Sequence, residues 1–148
     1  MGIINMVKNI KEIHPRDILL IKTGTFYNAY GKDAYIISYL FNYKLTKKEN
    51  IYSCSFPAVK LNNVLATLEH KKINYILLDK RNNYDLDSQS DNKNLNQYDK
   101  ILEKSKEKIN YDLRIYKIVE YLQENRNNKK IILEMEELII ERRKIQNN

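Results

Sequence analysis

The sequence predicts an α/β (α+β) protein in which a small mixed β-sheet flanked by helices is followed by a C-terminal αα-hairpin. Short apolar runs alternate with amphipathic helical segments over residues 1–81, as expected for a sheet covered by helices. Residues 82–96 are polar and almost free of hydrophobic residues, which predicts a linker. Residues 97–148 contain two long segments with apolar residues at helical spacing. We therefore predict a sheet domain, a polar linker and a helical hairpin, in that order.

The first elements are predicted from apolar spacing and from breakers. Residues 3–13 have apolar positions at helical spacing and stop before Pro15, which disfavours helix at the residue that precedes it. The run DILLIKTGTFYNAY, residues 17–30, predicts one strand that is buried at its beginning and exposed on one face at its end. Gly24 within this run indicates a bulge or a close backbone approach.

The rest of the sheet domain follows the same logic. Residues 31–43 predict a helix with Asp33 near its start, and residues 44–57 predict a short strand or turn. A clear amphipathic helix is predicted from Val59 to Lys71. The short apolar run at residues 74–80 predicts a final strand.

The chain is basic, with a formal net charge of +7. Most of the surplus lies in residues 1–81, which hold 13 Lys or Arg against 6 acidic residues, whereas residues 97–148 hold 12 against 10. A polyanionic partner is therefore expected for the sheet domain, and assembly for the hairpin. The single cysteine, Cys54, cannot form an intrachain disulfide, and no segment has the ~20 apolar residues of a membrane span. We expect a cytoplasmic protein with no membrane partner.

The residues required for familiar enzyme chemistry are missing from the sequence. The three glycines, Gly2, Gly24 and Gly31, cannot form a P-loop. The two histidines, His14 and His70, are too few for a metal cluster or a histidine-based triad. We predict a protein that is not an enzyme, with no catalytic residues, no metal site and no cofactor.

A familiar pattern is present in residues 17–46. GTFYNAY at residues 24–30 aligns without a gap with the G-D-F-Y-E-x-F motif of a known domain, and Asp33-Ala34 and Leu45-Thr46 follow at similar distances. The later part of that domain is matched by Phe56-Pro57, by the helix after it and by the ILLDK strand. The sequence thus resembles the N-terminal mismatch-recognition domain, domain I, of the MutS DNA mismatch repair family, as a free-standing MutS-like protein. The resemblance covers residues 1 to about 81.

The resemblance implies roles for two residues. In the family, the phenylalanine wedges into the duplex beside a mispaired base and a glutamate two residues later hydrogen-bonds that base, so Phe26 would be the wedge. Asn28 stands in place of the glutamate, Thr25 in place of the aspartate, and Val59 where a histidine is usual. Residues two apart on a strand point to one face, about 6.6 Å apart at ~3.3 Å per residue, so Phe26 and Asn28 would address the same groove. Tyr27 is expected in the core.

Phosphate contacts and partners remain open at this point. Lys22, Lys44, Lys47 and Lys48 are the predicted phosphate-binding residues, and a buried core aromatic is the alternative for Phe26. The leading hypothesis is a non-enzymatic module that binds DNA or an RNA–DNA hybrid. In the second, the protein is an accessory subunit that binds the reverse transcriptase and the RNA or cDNA of a diversity-generating retroelement. In the third, it is a protein-interaction adaptor that has lost DNA contact. The hairpin would bind a larger partner, a repair protein or the reverse transcriptase, or a second copy.

Overall fold

The chain forms two compact units, Met1–Ile109 and Asn110–Asn148. The computed structural model describes residues 2–90 and 97–147, except for the side chain of Lys48. The elements are α1 (Ile3–Ile13), β1 (Ile18–Thr23), β2 (Phe26–Tyr30), α2 (Lys32–Phe41), β3 (Leu45–Lys48), β4 (Ile51–Pro57), α3 (Leu61–His70), β5 (Tyr75–Asp79), β6 (Asp85–Gln89), α4 (Tyr98–Glu124) and α5 (Lys129–Gln146).

The first unit contains a six-stranded mixed sheet with the strand order β3-β4-β2-β1-β5-β6. The central pair β1 and β5 is parallel, and the other neighbours are antiparallel. Both central strands are covered on both faces, which explains why their sequences are apolar runs rather than alternating patterns. The predicted fold class, a mixed sheet with flanking helices followed by C-terminal helices, is confirmed.

One face of the sheet, here called the closed face, packs against α2, α3 and the beginning of α4. Its core includes Tyr27 and Ala29 of β2, Phe56 of β4 and Tyr98 of α4. The carboxylate of Asp33, 1% exposed, accepts hydrogen bonds from Tyr98 Oη at 2.6 Å, Lys11 Nζ at 3.0 Å and the amide of Leu19 at 3.0 Å. Burial raises the pKa of Asp33, and the Lys11 ammonium opposes that rise. These bonds tie α1, β1 and α4 to the start of α2.

The other face of the sheet is covered over its central strands by α1. Val7 of α1 is buried in a second cluster with Leu19 and Ile21 of β1 and Ile76 and Leu78 of β5. Towards the β3 edge this face includes small polar side chains that are exposed or half-buried. One half of this face therefore belongs to the core, and the other half forms part of the surface.

The structure corrects two strand predictions. Residues 17–30 form two antiparallel strands, β1 and β2, rather than one, because Gly24 adopts φ +62° and the chain turns there. Residues 44–57 likewise form two paired strands, β3 and β4.

Part of the predicted linker is ordered structure. Residues 85–89 form the edge strand β6, which pairs antiparallel with β5 although every one of its side chains is exposed. An exposed edge strand of sequence DLDSQ has no apolar face, so no hydrophobic signal revealed it. Residues 91–96 of the predicted linker lie outside the described residues.

The beginning of α4 belongs to the first unit. Its residues Tyr98, Ile101 and Leu102 are buried in the core of the closed face. Further along, the second unit contains the rest of α4 and α5, joined at residues 125–128, where the side chain of Asn128 caps α5 by accepting from the amide of Ile131 at 3.3 Å. In the described ranges, none of the helices has the length and apolar character needed to span a membrane.

Candidate nucleic-acid interface

Phe26 lies at the beginning of β2, directly after the turn at Gly24. The turn is held by a hydrogen bond in which the amide of Ala58 donates to the carbonyl oxygen of Thr25 at 2.8 Å. Phe26 is 48% exposed, whereas the next residue, Tyr27, is 4% exposed and packs in the closed-face core. The alternation of a strand thus turns the Phe26 ring away from that core.

Asn28 lies two residues further along the same strand and on the same face as Phe26. Its Oδ1 accepts a hydrogen bond from Ser55 Oγ at 2.6 Å, and its Nδ2 donates to the carbonyl oxygen of Ile21 at 3.3 Å. A primary amide has two donor hydrogens and two acceptor lone pairs, so one of each remains after these bonds. The network fixes the amide in orientation while leaving it able to bind a further polar group.

The surface beside Phe26 is lined by small polar side chains. Asn28 is paired with Ser55 of β4, and Ser53 of β4 is paired with Thr46 of β3, whose Oγ1 lies 3.0 Å from Ser53 Oγ. Directly paired residues point to the same face of a sheet, and Ser53 and Ser55 are two residues apart on β4, so these side chains share one face. We call this surface, made of Phe26, Asn28, Thr46, Ser53 and Ser55, the open face. Its only large apolar side chain is Phe26.

The predicted lysines do not share one surface. Lys22 is paired with Tyr27 and therefore points to the closed face, where it helps Arg81 to lower the pKa of the Asp79 carboxyl. Lys47 is paired with Tyr52 on that same face, and its Nζ lies 5.3 Å from the centre of the Tyr52 ring.

The other two predicted lysines lie near the β3 edge. Lys44 is exposed in the connection between α2 and β3. The side chain of Lys48 lies outside the described residues. The structure thus brings Phe26 and Asn28 together and separates Lys22 and Lys47 from them.

A groove between α1 and β4 lies beside the open face, at the end of β2 opposite to Phe26. It consists of two cavities of about 330 Å³ each, which share Ile4, Tyr30 and Ile51. One cavity is also lined by Lys8, Lys11 and Lys32, and the other extends to Glu49 and to Ser53 of the open face. Because Tyr30 is four residues after Phe26 on the same face of β2, the groove begins about 13 Å from Phe26 at ~3.3 Å per residue.

The lysines of this groove were missed in the sequence. Lys8 and Lys32 are exposed, whereas Lys11 is half-buried and bonded to Asp33. Burial, followed by Tyr84, raises the pKa of the Tyr30 hydroxyl, which therefore stays neutral at neutral pH. Lys8 and Lys32 belong to different helices with no common motif, so only the packing of α1 beside the start of α2 brings them together.

Cys54 of β4 is part of the core of the closed face. Cys54 is 1% exposed, and burial raises the pKa of its thiol to about 11, which keeps it protonated at neutral pH. Within residues 2–90 and 97–147, no three His, Cys, Asp or Glu side chains are grouped so as to hold a metal ion.

Comparison with known proteins shows which family this chain resembles. The family description of MutS domain I matches residues 1–88, more than half of the chain. The DNA mismatch repair protein MutS of Thermosipho melanesiensis is 42% identical over 59 residues, an alignment that covers 40% of this chain and 7% of that protein. The chain therefore matches only a small part of the length of that relative.

MutS domain I is a non-catalytic recognition domain, which in MutS takes part in recognising DNA and its mismatches. A DNA-binding role is therefore supported at a coarse level for residues 1–88, which contain the open face. The resemblance predicted from GTFYNAY is confirmed. The extent of the match identifies this chain as a member of the MutS domain I family.

Proposed function

We propose that the open face binds nucleic acid, with Phe26 as a wedge that stacks on a base. The supporting observation is the 48% exposure of this ring on a strand whose neighbouring residue is buried. A base stacked on an aromatic side chain contributes about 1–3 kcal/mol of binding free energy. Insertion at a base step costs a few kcal/mol of unstacking. That cost is smallest where base pairing is already weak, so a mispair would be preferred.

Asn28 is proposed to hydrogen-bond the edge of the base beside the wedge. Its amide is oriented by Ser55 and by the Ile21 carbonyl oxygen, and one donor and one acceptor remain for a base. An amide can both donate and accept, unlike the ionised glutamate that the family pattern has at this position. Recognition by Asn28 is therefore expected to be independent of pH near neutrality.

The phosphate backbone is proposed to pass from Phe26 along β2 to the groove beside α1. Lys8 and Lys32 line that groove, and both are exposed. We add them to Lys44 and Lys48 as proposed phosphate contacts. Lys22 and Lys47 point to the opposite face, so we assign them no contact on this path. The binding would be electrostatic in large part, and its affinity would fall with rising salt.

The proposal is tested by fluorescence anisotropy with a matched duplex, the same duplex with one mismatch, and an RNA–DNA hybrid, over a salt series. We expect the mismatched duplex to bind most tightly. Phe26→Ala should weaken that binding about 5- to 150-fold, which corresponds to the loss of ~1–3 kcal/mol of stacking. The matched control is Leu86→Ala, since Leu86 is 57% exposed on the distant edge strand β6.

The other two hypotheses predict different results in the same experiment. An accessory subunit of a reverse transcriptase would prefer the RNA–DNA hybrid or require the enzyme for binding. An adaptor without nucleic-acid contact would bind all three probes weakly and would not respond to Phe26→Ala. Equal binding of wild type and Phe26→Ala would contradict the wedge. In all three hypotheses we propose a cytoplasmic protein with a protein partner at the C-terminal helices.

A further inference from the structure

The groove beside α1 has apolar and aromatic walls in addition to its lysines. Ile4, Tyr30 and Ile51 are shared by its two cavities, each of about 330 Å³. Ligand pockets in proteins are lined mostly by such side chains, with a few polar groups that orient the ligand, and have volumes from about 300 Å³ upwards. Phosphate and sugar alone would use the lysines and leave the apolar walls without a partner. The groove therefore has the composition of a site for a ligand with an apolar ring and an anionic group.

The charges of the groove are separated between its two cavities. Lys8, Lys11 and Lys32 line one cavity, and Glu49 lines the other. Lys11 is paired with Asp33, whereas Lys8 and Lys32 have no ion-pair partner in the part of the chain that the structure describes. A complementary ligand carries an anion at one end, an apolar ring in the middle and a hydrogen-bond donor at the other end. A nucleotide with an amino-bearing base has this order of groups.

The groove continues the open face. Tyr30 follows Asn28 on the same face of β2, and Ser53 belongs both to the open face and to the groove. Phe26 and Tyr30 are therefore two aromatic side chains on one face, about 13 Å apart at ~3.3 Å per residue. Aromatic side chains along a basic groove are the usual arrangement in proteins that bind single strands. A stacked strand advances about 3.4 Å per nucleotide, so the groove lies roughly four nucleotides from Phe26.

We propose that the groove binds an unpaired nucleotide of the strand that the open face contacts, an inference that rests on the proposed function. The base stacks against Tyr30, and the phosphate contacts Lys8 and Lys32. In a duplex the bases are paired and turned inward, and extruding one costs free energy that an unpaired nucleotide does not require. The preferred nucleic acid is therefore a duplex that continues into a single-stranded tail.

Glu49 gives the groove a preference among bases. A carboxylate only accepts hydrogen bonds. Adenine and cytosine present an amino group, whereas thymine presents a carbonyl oxygen and a methyl group at the same edge. A tail of dA is therefore bound more tightly than a tail of dT, and Glu49→Gln should reduce this difference because an amide also donates.

Fluorescence anisotropy with tailed duplexes tests the proposal. The probes share one matched duplex that is blunt or carries a tail of about six nucleotides, long enough to reach the groove from Phe26. The tail consists of dA, of dT or of abasic nucleotides, and it is placed on either strand end in turn. We expect the dA tail to raise the affinity at least about fivefold over the abasic tail, as one stacked base does. Because the abasic tail carries the same phosphates, this ratio isolates the contribution of the base.

Two substitutions locate the gain in the groove. Ile51→Ser removes part of an apolar wall and should abolish the ratio of dA to abasic binding, whereas Leu86→Ser on the distant strand β6 should preserve it. Lys8→Gln should lower the slope of log affinity against log salt by about 1 for the tailed probes. Lys71→Gln removes the same charge at the end of α3, which packs on the closed face, and should leave that slope unchanged.

Several results would overturn the proposal. An abasic tail that binds as tightly as the dA tail would show that the groove holds phosphate alone. A gain that survives Ile51→Ser would place the base elsewhere, provided that slow alkylation of the buried Cys54 thiol shows the variant to be folded. Displacement of the tail by free dAMP, or by an acidic leucine-containing peptide, at a lower concentration than by a single-stranded dA oligonucleotide would show that the groove takes another occupant.

The wedge is tested separately from the groove. Equal binding of wild type and Phe26→Ala to a blunt mismatched duplex would contradict the proposed function, and no tail takes part in that measurement. Loss of the dA-to-abasic ratio would contradict the groove site while leaving the effect of Phe26→Ala unchanged. The two failures are therefore distinguishable.

Discussion

The two sides of β2 differ in what they contact. Tyr27 and Ala29 are buried in the closed-face core, where the Tyr27 ring stacks on Phe56 with 5.7 Å between ring centres. On the other side, Phe26 is exposed and Asn28 is held by side-chain and backbone bonds beside it. One strand therefore contributes to stability with one set of residues and provides a surface for binding with the other. The comparison predicts that substitutions on the two sides affect different properties.

The largest expected effect separates two phenylalanines on neighbouring strands. Phe56 is fully buried and stacks on Tyr27 and Tyr43, so Phe56→Ala should lower the free energy of unfolding by about 3–5 kcal/mol. Phe26→Ala removes an exposed ring and should change it by less than about 0.5 kcal/mol. Urea unfolding monitored by circular dichroism measures both values. Equal destabilisation by the two substitutions would contradict the division between the faces.

A second prediction compares adjacent residues of β4. Cys54 points to the closed face and Ser55 to the open face. Because burial raises the pKa of the Cys54 thiol from 9.0 to about 11, its thiolate fraction at neutral pH should be about 100-fold below that of a free thiol.

Iodoacetamide labelling followed by mass spectrometry tests this difference. The wild type should stay unlabelled when folded, whereas Ser55→Cys should gain one rapidly labelled site. The neutral Cys54 thiol favours the folded state below pH 9, and this contribution should be lost as the pH rises through about 11. Rapid labelling of the folded wild type would contradict the placement of Cys54.

A third, smaller effect concerns Asn28. Asn28→Ala removes both the proposed base contact and the hydrogen bond with Ser55, and a typical hydrogen bond contributes about 0.5–1.5 kcal/mol. We expect about 2- to 13-fold weaker binding of a mismatched duplex, measured by anisotropy, with the matched duplex less affected. Ser55→Ala is the matched control, because it releases the amide while leaving the base contact possible. If Asn28→Ala weakens matched and mismatched binding equally, Asn28 does not read the base.

The smallest expected effect distinguishes lysines on opposite faces. Lys32→Gln removes a proposed phosphate contact beside the groove and should lower the slope of log affinity against log salt by about 1. Lys47→Gln removes the same charge on the closed face, where its ammonium lies over Tyr52, and should leave the slope unchanged. Equal changes in the two slopes would show that charge alone, rather than its position, controls binding.

Much of the first unit could be predicted from the sequence, because its signals are local. The period of two along β2 was sufficient to place Phe26 and Asn28 on one face and Tyr27 in the core. The apolar runs of β1 and β5 and the spacing in α3 indicated buried elements correctly. The residues of GTFYNAY were sufficient to identify the family.

Other features depend on tertiary structure and had no local signal. Gly24 indicated an irregularity, but the φ of +62° that makes it a turn rather than a bulge follows from the pairing of β1 with β2. The face of each lysine depends on strand register, so Lys22 and Lys47 could not be separated from the others in advance. Apolar spacing in α4 and α5 is the same whether a helix packs on its own chain or on another.

The central claim, that Phe26 contacts bases from the open face, is tested most directly with 2-aminopurine placed beside a mismatch. Fluorescence of this base rises when it is unstacked, and measurement at saturating protein separates base contact from affinity. We predict that wild type and Leu86→Ala increase the fluorescence and that Phe26→Ala, bound to the same extent, does not. Equal fluorescence with wild type and Phe26→Ala would contradict the claim and would leave Phe26 without a role in base recognition.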